Sequence, residues 1–364
     1  MKKTYEELLG GVVEDRGYHR FDLSKHSNKE ALDILMEEAE DVVLDEKAVQ
    51  LKDIKVGLYD DGVPFAQVGS GFNSKEFKFS PWAITQLSEK MNMGAAGYIK
   101  KCILNEMYDL IPANLNRWLQ HSANKNVLVR YKDDIIRAFL SDRYGIFDHI
   151  DAVTVIKECF NDGVMGDSKI GSAMISPDDM SIRTIDYSQA IVPDTHIQDG
   201  SGLGAHIRNG QTGRSCISTE FMVYTFFCAN GLFIGKDRSM AYSQKHYNIE
   251  QDQFKKEFVR SIEGYPDYIA AVKQPLEEAR KIPLQHLFDP VSDEWIHFVK
   301  TYTKLSKDQL IEVNTIRDND WDNTLWGLAG AVTQYAQTVG NSARQYQLEK
   351  SAGEIIENGL RLAA

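Results

Sequence analysis

The spacing of apolar positions changes period twice along the chain. In NKEALDILMEEAEDVVLD (28–45), Leu32, Leu35 and Met36 recur at helical spacing against an acidic face, predicting a helix that Asn28 can cap. PFAQVG (64–69) and EFKFS (76–80) are short and extended, split by the glycine-rich GSGFNS. Ser80-Pro81 then opens a helix through WAITQLSEKMN, since proline at the first helical position gives up no needed hydrogen bond. GAAGYIKKCILNEMYDLIPANLNRWLQHSA (94–123) reads as two helices broken near Pro112, with Trp118 expected in the core beside Leu115 and Leu119.

Between about 126 and 236 the pattern becomes that of strands. NVLVRYKD (126–133) and IIRAFLSDRYG (135–145) flank Lys132-Asp133-Asp134, a hairpin pattern. HIDAVTVIKECFNDG (149–163) reads as a helix, and SAMISPDDMSIRTIDYSQAIVP (172–193) as two strands about the turn Ser176–Asp179. GSGLGAHIRNGQTGRS (200–215) reads as a polar glycine-rich loop. In the apolar run that follows, Asn230-Gly231 marks a reversal, because both residues tolerate positive φ. Two strands at a type I′ turn fit, and so does a helix ending at Gly231; the β-branched and aromatic content favours strands. From Asn248 onward the pattern is helical.

The expected fold is therefore α+β, with a central antiparallel β-rich region at about 126–236 between N- and C-terminal helices. The expected organisation is an acidic peripheral segment at 1–80, an α/β core with hairpins at 81–248, and a helical region at 249–364 packing on that core.

Composition narrows the possibilities. A chain of 364 residues can bury roughly 75% of its unfolded surface, so it needs no disulfide or metal to fold. Cys102, Cys159, Cys216 and Cys228 form no C-x-x-C pair and read as reduced, mostly buried thiols. No cofactor is expected. No apolar run approaches the roughly 18 residues of a membrane span, and the start MKKTYEELLGGVVEDRG reads as a short polar helix without a signal-peptide core. The expected setting is cytoplasmic, with no membrane partner.

The net charge of −12 counts against a whole-surface nucleic-acid binder. It is unevenly sown: residues 1–62 carry 16 acidic and 9 basic side chains, and residues 97–145 carry 8 basic and 5 acidic. That basic segment holds Lys100, Lys101, Arg117, Lys125, Arg130, Lys132, Arg137 and Arg143, interleaved with Tyr98, Trp118, Tyr131 and Tyr144. Cationic grooves with aromatic stacking platforms are how single strands are held. By the strand period of two, Arg130 and Lys132 share one face and Tyr131 takes the other, so these side chains cannot all line one groove.

Other chemistry is thinner. The 200–215 stretch lacks Gly-Lys-Ser/Thr and reads as a mobile loop whose His206, Arg208 and Arg214 can close over a polyanion, or as a flexible connection. His196 and His206, with Asp194 and Asp199, offer a metal alternative there. Asp142, Asp148 and Asp151 can be read as paired carboxylates or as turn and cap residues. No G-x-S-x-G or H-E-x-x-H occurs, so catalysis is the lesser expectation.

The run RNGQTGRSCISTEFMVYTFFCANGLFIG resembles a family of phage and plasmid proteins known as domain of unknown function 932. Asn209 and Gly213 match the first part of that family's Asn-x-x-x-Gly-x-Gly-Ser segment, and Cys228, Asn230 and Gly231 match its Cys-x-Asn-Gly. Ser215 replaces a glycine, Gln211 replaces an acid, and Thr225 stands at a basic position, which weakens any charged role for this strand. ANLNRWL (113–119), VRYKDDIIRAFLSDRYGIFDHID (129–151) and NTLWGLAGAVTQYA (323–336) agree as well, so the resemblance spans roughly 80–340. It implies a phage or plasmid gene near functions of DNA replication and recombination. A fold-level analogy extends to annealing proteins of the RecT and Red-beta kind. Three expectations follow. The first is a non-enzymatic, homo-oligomeric protein that binds or anneals single-stranded DNA. The second is a protein-interaction factor of phage assembly or host modulation. The third is an enzyme with a site near 196–214.

Overall fold

The computed structural model describes residues 19–69, 74–94, 96–191, 201–225, 230–234, 242–247, 249–289, 292–339 and 342–364. In chain order, β1 (His19–Asp22), α1 (Asn28–Asp41), β2 (Asp45–Gln50), β3 (Ile54–Leu58), β4 (Pro64–Val68) and β5 (Lys75–Phe79) lead to α2 (Pro81–Lys90), α3 (Ala96–Leu104) and α4 (Leu110–His121). The hairpin β6 (Asn126–Lys132) and β7 (Ile135–Ser141) precedes α5 (His149–Asn161). Then come β8 (Ser168–Ile175), β9 (Met180–Ile191), β10 (Ser201–Asn209), β11 (Ile217–Thr225), β12 (Asn230–Leu232) and β13 (Tyr242–Gln244). The chain ends in α6 (Gln251–Glu263), α7 (Tyr265–Lys281), α8 (Glu294–Thr303), α9 (Lys307–Asp320), α10 (Leu325–Thr338) and α11 (Ser342–Ala363). The class is α+β, a central β-sheet region between helical segments.

The strands form two sheets. The larger runs β1-β8-β9-β10-β11-β12, with β13 also on β11, and every pairing is antiparallel. On one face, Ile182 and Ile207 pack with Leu35, Val153, Ile156, Phe254 and Phe258 of α1, α5 and α6. Farther along the same face, Leu203, Ala205, Phe221 and Val223 meet α7 to α11, where α10 is buried nearly all round at the centre. The smaller sheet runs β2-β6-β7-β5-β4-β3. Its end strands β2 and β3 are joined by only Leu51–Asp53, a span of about 10 Å, so the sheet curls to bring its edges together. Val56, Phe77, Phe79, Val129 and Phe139 of this sheet pack against Ile84, Leu87, Ile99, Leu115 and Leu119 of α2 to α4.

Local chemistry explains several boundaries. Ser80 caps α2 as its hydroxyl accepts from Ala83 N, with Pro81 at the first position. Ser27, rather than Asn28, caps α1 in a reciprocal box with Glu30. Asn28 instead ties the helix to β8, donating to Ser168 O and accepting from Ile170 N. The break between α3 and α4 falls at 105–109, with Glu106 at φ 59°, and Pro112 sits in the first turn of α4, where a proline is tolerated. Helix α9 falls in the stretch expected to be helical from Asn248 onward, and among its residues only Leu310 and Val313 are buried.

The strand reading of the apolar run holds over Ile217–Thr225. Asn230 and Gly231 are not the reversal itself; they open β12, opposite Thr225 and Tyr224 of β11. Residues 226–229, with Cys228, lie outside the described residues, as do His196, Asp194, Asp199 and the expected helix at 1–17. Gly231 serves close approach: a Cβ there would collide with the Met222 methyl and lie 3.4 Å from Arg183 Nη1. The larger correction concerns 200–215. Ser201–Asn209 is a strand inside the large sheet, not a loop. Leu203, Ala205 and Ile207 alternate with Gly202, Gly204 and His206, a period of two that the glycines disguise. The acidic segment expected at the periphery supplies β1 to the large sheet and β2 to β5 to the small one.

The two sheets are joined by a buried polar cluster. Arg130, fully buried on β6, makes a two-pronged contact with Asp148 at 2.6 and 3.0 Å. It also donates to Gln211 O and Leu44 O. The Gln211 amide donates to Val42 O and Pro177 O and accepts from His149 N. Asn209 donates to Phe147 O and contacts His149 Nδ1. Trp82 and Gln86 of α2 both donate to Thr212 O. The turn after β10 is thus held from both sides, and Gly213, at φ 71° with Leu140 2.8 Å from where a Cβ would stand, completes it. The resembling segments 129–151 and 209–213 therefore meet at one place, and that place is a joint of the fold.

Candidate nucleic-acid interface

Helices α3 and α4 present their apolar side to the small sheet and a mixed side to solvent. Ile99, Cys102 and Ile103 of α3 and Ile111, Leu115 and Leu119 of α4 are buried. The opposite side carries Tyr98, Lys100, Lys101, Leu104, Arg117, Trp118 and His121, all exposed. Trp118 lies at the edge of the buried stripe and is 37% exposed, which corrects its expected place in the core. Asn114, Trp118 and His121 follow at helical spacing along one side of α4. Asn114 Nδ2 donates to Tyr98 OH at 3.0 Å, linking α3 to this line. The Tyr98 hydroxyl is held above its ordinary pKa, chiefly by its hydrogen bond with Cys102. His121 meets the Trp118 ring edge-on, with centroids 5.9 Å apart.

Beside Trp118 lies a cavity of ≈ 420 Å³ between the C-terminal ends of α2 and α4, walled by Met91, Asn92, Trp118, Gln120, His121 and Asn124. Lys125 stands on its rim and donates to Lys90 O at 3.0 Å. The Lys90 amine is pushed below its ordinary range by burial, and Lys125 adds to this, while Glu89 and Asp142 oppose it. Exposed Lys52 is tied in through its backbone to Ala123 O. Lys52, Lys90 and Lys125 are thus linked at one end of the small sheet, with Glu89 and Asp142 near Lys90.

The remaining expected cations divide by burial. Arg143 and Arg214 are exposed near the turn after β10, and Lys132 is half-buried at the end of β6. Arg130 and Arg137 are buried, so the basic segment splits between surface and interior. Alternation along β6 turns Tyr131, with Val127 and Val129, toward the small-sheet core and Arg130 toward the joint, while the bulge lies on β7, where Ala138 and Ile136 face the adjacent residues Arg130 and Tyr131. Arg208, on β10, pairs with Asp179 at 3.1 Å and lies over the Tyr346 ring, so it is not a loop residue. Asp148 and Asp151 close a capping box on α5 rather than a carboxylate pair.

No protein-family model, curated protein or solved structure matches the chain. What the chain can do is read from its own groups.

A second polar cluster lies on the other face of the large sheet. Arg183 pairs with Glu349 of α11 at 2.8 Å, both buried, and Gln337 and Gln345 also donate to Glu349. Tyr346 and Lys350 hold Glu220 on the stretch of β11 between its β12 and β13 pairings. Ser181 Oγ and His206 Nε2 are 2.6 Å apart, which invites comparison with a nucleophile and its base. The surroundings argue otherwise. Both residues are buried, and the charges acting on His206 are Arg183, Arg208 and Lys350, with no carboxylate to orient the ring. Burial, then these cations, hold His206 well below its ordinary pKa. The arrangement clamps α11 to the sheet. Among the described residues, no group of three or more His, Cys, Asp or Glu side chains is placed to hold a metal, and no helix is long and apolar enough to cross a membrane.

Sequence reasoning missed Lys52, Lys90, Asn92, His121 and the three-dimensional cavity. The signal within reach was the phase of α4: the stripe Ile111–Leu115–Leu119 leaves Arg117 and His121 outward.

Proposed function

We propose that the chain binds single-stranded DNA through the outer side of α3 and α4, without catalysis. The observation that carries this reading is the line Tyr98–Asn114–Trp118–His121, exposed but for half-buried Asn114, flanked by Lys100, Lys101, Arg117 and Lys125 on a protein that is acidic overall. Aromatic rings give stacking surface to any base, and the cations follow the phosphates. Under the same reading the chain belongs to the phage and plasmid family it resembles. It then acts as a homo-oligomer in the host cytoplasm, on strands exposed in replication or recombination.

The test is fluorescence anisotropy with a labelled oligonucleotide. Lys101→Glu, Arg117→Glu and Lys125→Glu together should weaken single-strand binding at least tenfold. The slope of affinity against salt should flatten by about 0.7 for each phosphate no longer neutralised. Unchanged affinity in the folded triple variant contradicts the reading.

A second reading has its own observation. Leu104 and Met107, 40% and 51% exposed, form an apolar corner between α3 and α4 that suits a protein contact, including a second copy of this chain. Sedimentation of the Leu104→Asp, Met107→Asp variant tests it: loss of self-association supports this reading, and an unchanged assembly state removes it.

A further inference from the structure

We propose that the cavity between the C-terminal ends of α2 and α4 takes one unstacked nucleobase, with Trp118 as its stacking wall and the phosphates kept outside. This rests on the single-strand reading above and gives it a specific site.

Three observations converge. First, the ≈ 420 Å³ volume lies toward the small end of the usual range of small-ligand sites, about 300–1,000 Å³, and Trp118 is among the residues that line it. Second, its polar lining includes three amide residues beside His121, Ser122 and Lys125. Asn92, Gln120 and Asn124 each carry both donors and acceptors, which match the edge of a base. Third, the cavity lies where two helices end. Helix C-termini carry partial negative charge, which disfavours a phosphate inside and favours the amino and imino donors of a base. A cation stands at the rim instead: Lys125 is on the lip and reaches Lys90 O, while Lys52 is bonded through its backbone to Ala123 of the lining. Bases inward and phosphates outward is the arrangement these charges permit. It differs from a flat cationic surface, which would ignore whether bases are present.

The test compares, on the full chain, a normal single-stranded oligonucleotide with one of equal length whose central run is abasic. The normal strand should bind at least about tenfold more tightly, the scale of one stacked base. Trp118→Ala should bring the two strands within about twofold, with circular dichroism of the variant reporting that the fold survives. Trp118→Phe should restore most of the difference, and Asn92→Ala with Asn124→Ala should remove part of it. Equal binding of the two strands by the unaltered chain overturns the base pocket and leaves the single-strand reading standing. A preference that survives Trp118→Ala places base recognition elsewhere and also overturns it. Failure of both strands to bind overturns the pocket and the single-strand reading together.

Discussion

Residues of one type play opposite parts in this molecule, and burial decides which. Arg117 and Arg130 lie in the same basic segment, yet one faces solvent and the other is fully buried against Asp148. Removing one partner of a buried pair leaves an uncompensated charge, so Arg130→Ala should lower unfolding free energy by about 3–5 kcal/mol in denaturant titrations. Loss of DNA binding in that variant would report unfolding and not contact. Glu349→Ala should cost a similar amount, because it strands Arg183 in the interior. Trp118→Ala should behave in the reverse way. At 37% exposed it contributes little to the core, so stability should change by less than about 1 kcal/mol, while single-strand affinity should fall by about 1–3 kcal/mol. Paired denaturation and anisotropy on the same preparations check both. A Trp118→Ala protein that loses stability but keeps affinity would return Trp118 to the core.

At the scale of elements, legibility followed periodicity. The hairpin of β6 and β7, the helix α5 and the β8–β9 pair could be read because their apolar spacing and turn residues agree. Strand β10 could not, since glycines take the place of side chains on its second face and imitate a loop. The cavity beside Trp118 could not either, because it joins residues 91–92 to 118–125 through the packing of α2 and α4 on a curled sheet. Two glycines of the resembling segment separate conformational need from close approach. Gly213 sits at φ 71° beside Leu140, so Gly213→Ala should cost about 1–2 kcal/mol in backbone strain, and more if Leu140 is displaced. At Gly231 the nearest obstacle is the flexible end of Met222, so Gly231→Ala should cost less. Chemical denaturation of the two variants checks the order, and the reverse order would contradict this assignment.

At the scale of the whole molecule, the buried joint makes stability depend on pH. Burial lowers the pKa of His149 and His246 to about 4 and holds that of His206 well below its ordinary value. An unfolded histidine titrates near 6.5, so these groups support the fold fully above that pH, and the contribution of His149 and His246 is lost as pH falls toward 4. Each of these two contributes a slope of about 1.4 kcal/mol per pH unit in that window. His246 lies flat on Tyr144 at 5.1 Å, so His246→Phe keeps the stacking and should remove one such slope in urea titrations between about pH 4.5 and 7.5. An unchanged slope would show that His246 titrates alike in the folded and unfolded chain, against its lowered pKa.

The same joint ties the two sheets together and places the α3–α4 surface at the far side of the small one, away from the clamp on α11. A ligand on that surface should leave its mark there and not at the joint. The most direct measurement is hydrogen–deuterium exchange of the full chain with and without a single-stranded oligonucleotide. Slowed exchange confined to about 91–125, with the β10 turn and α11 unchanged, is the predicted result. Bound oligonucleotide with protection centred on other elements, or no binding at low salt, would contradict it.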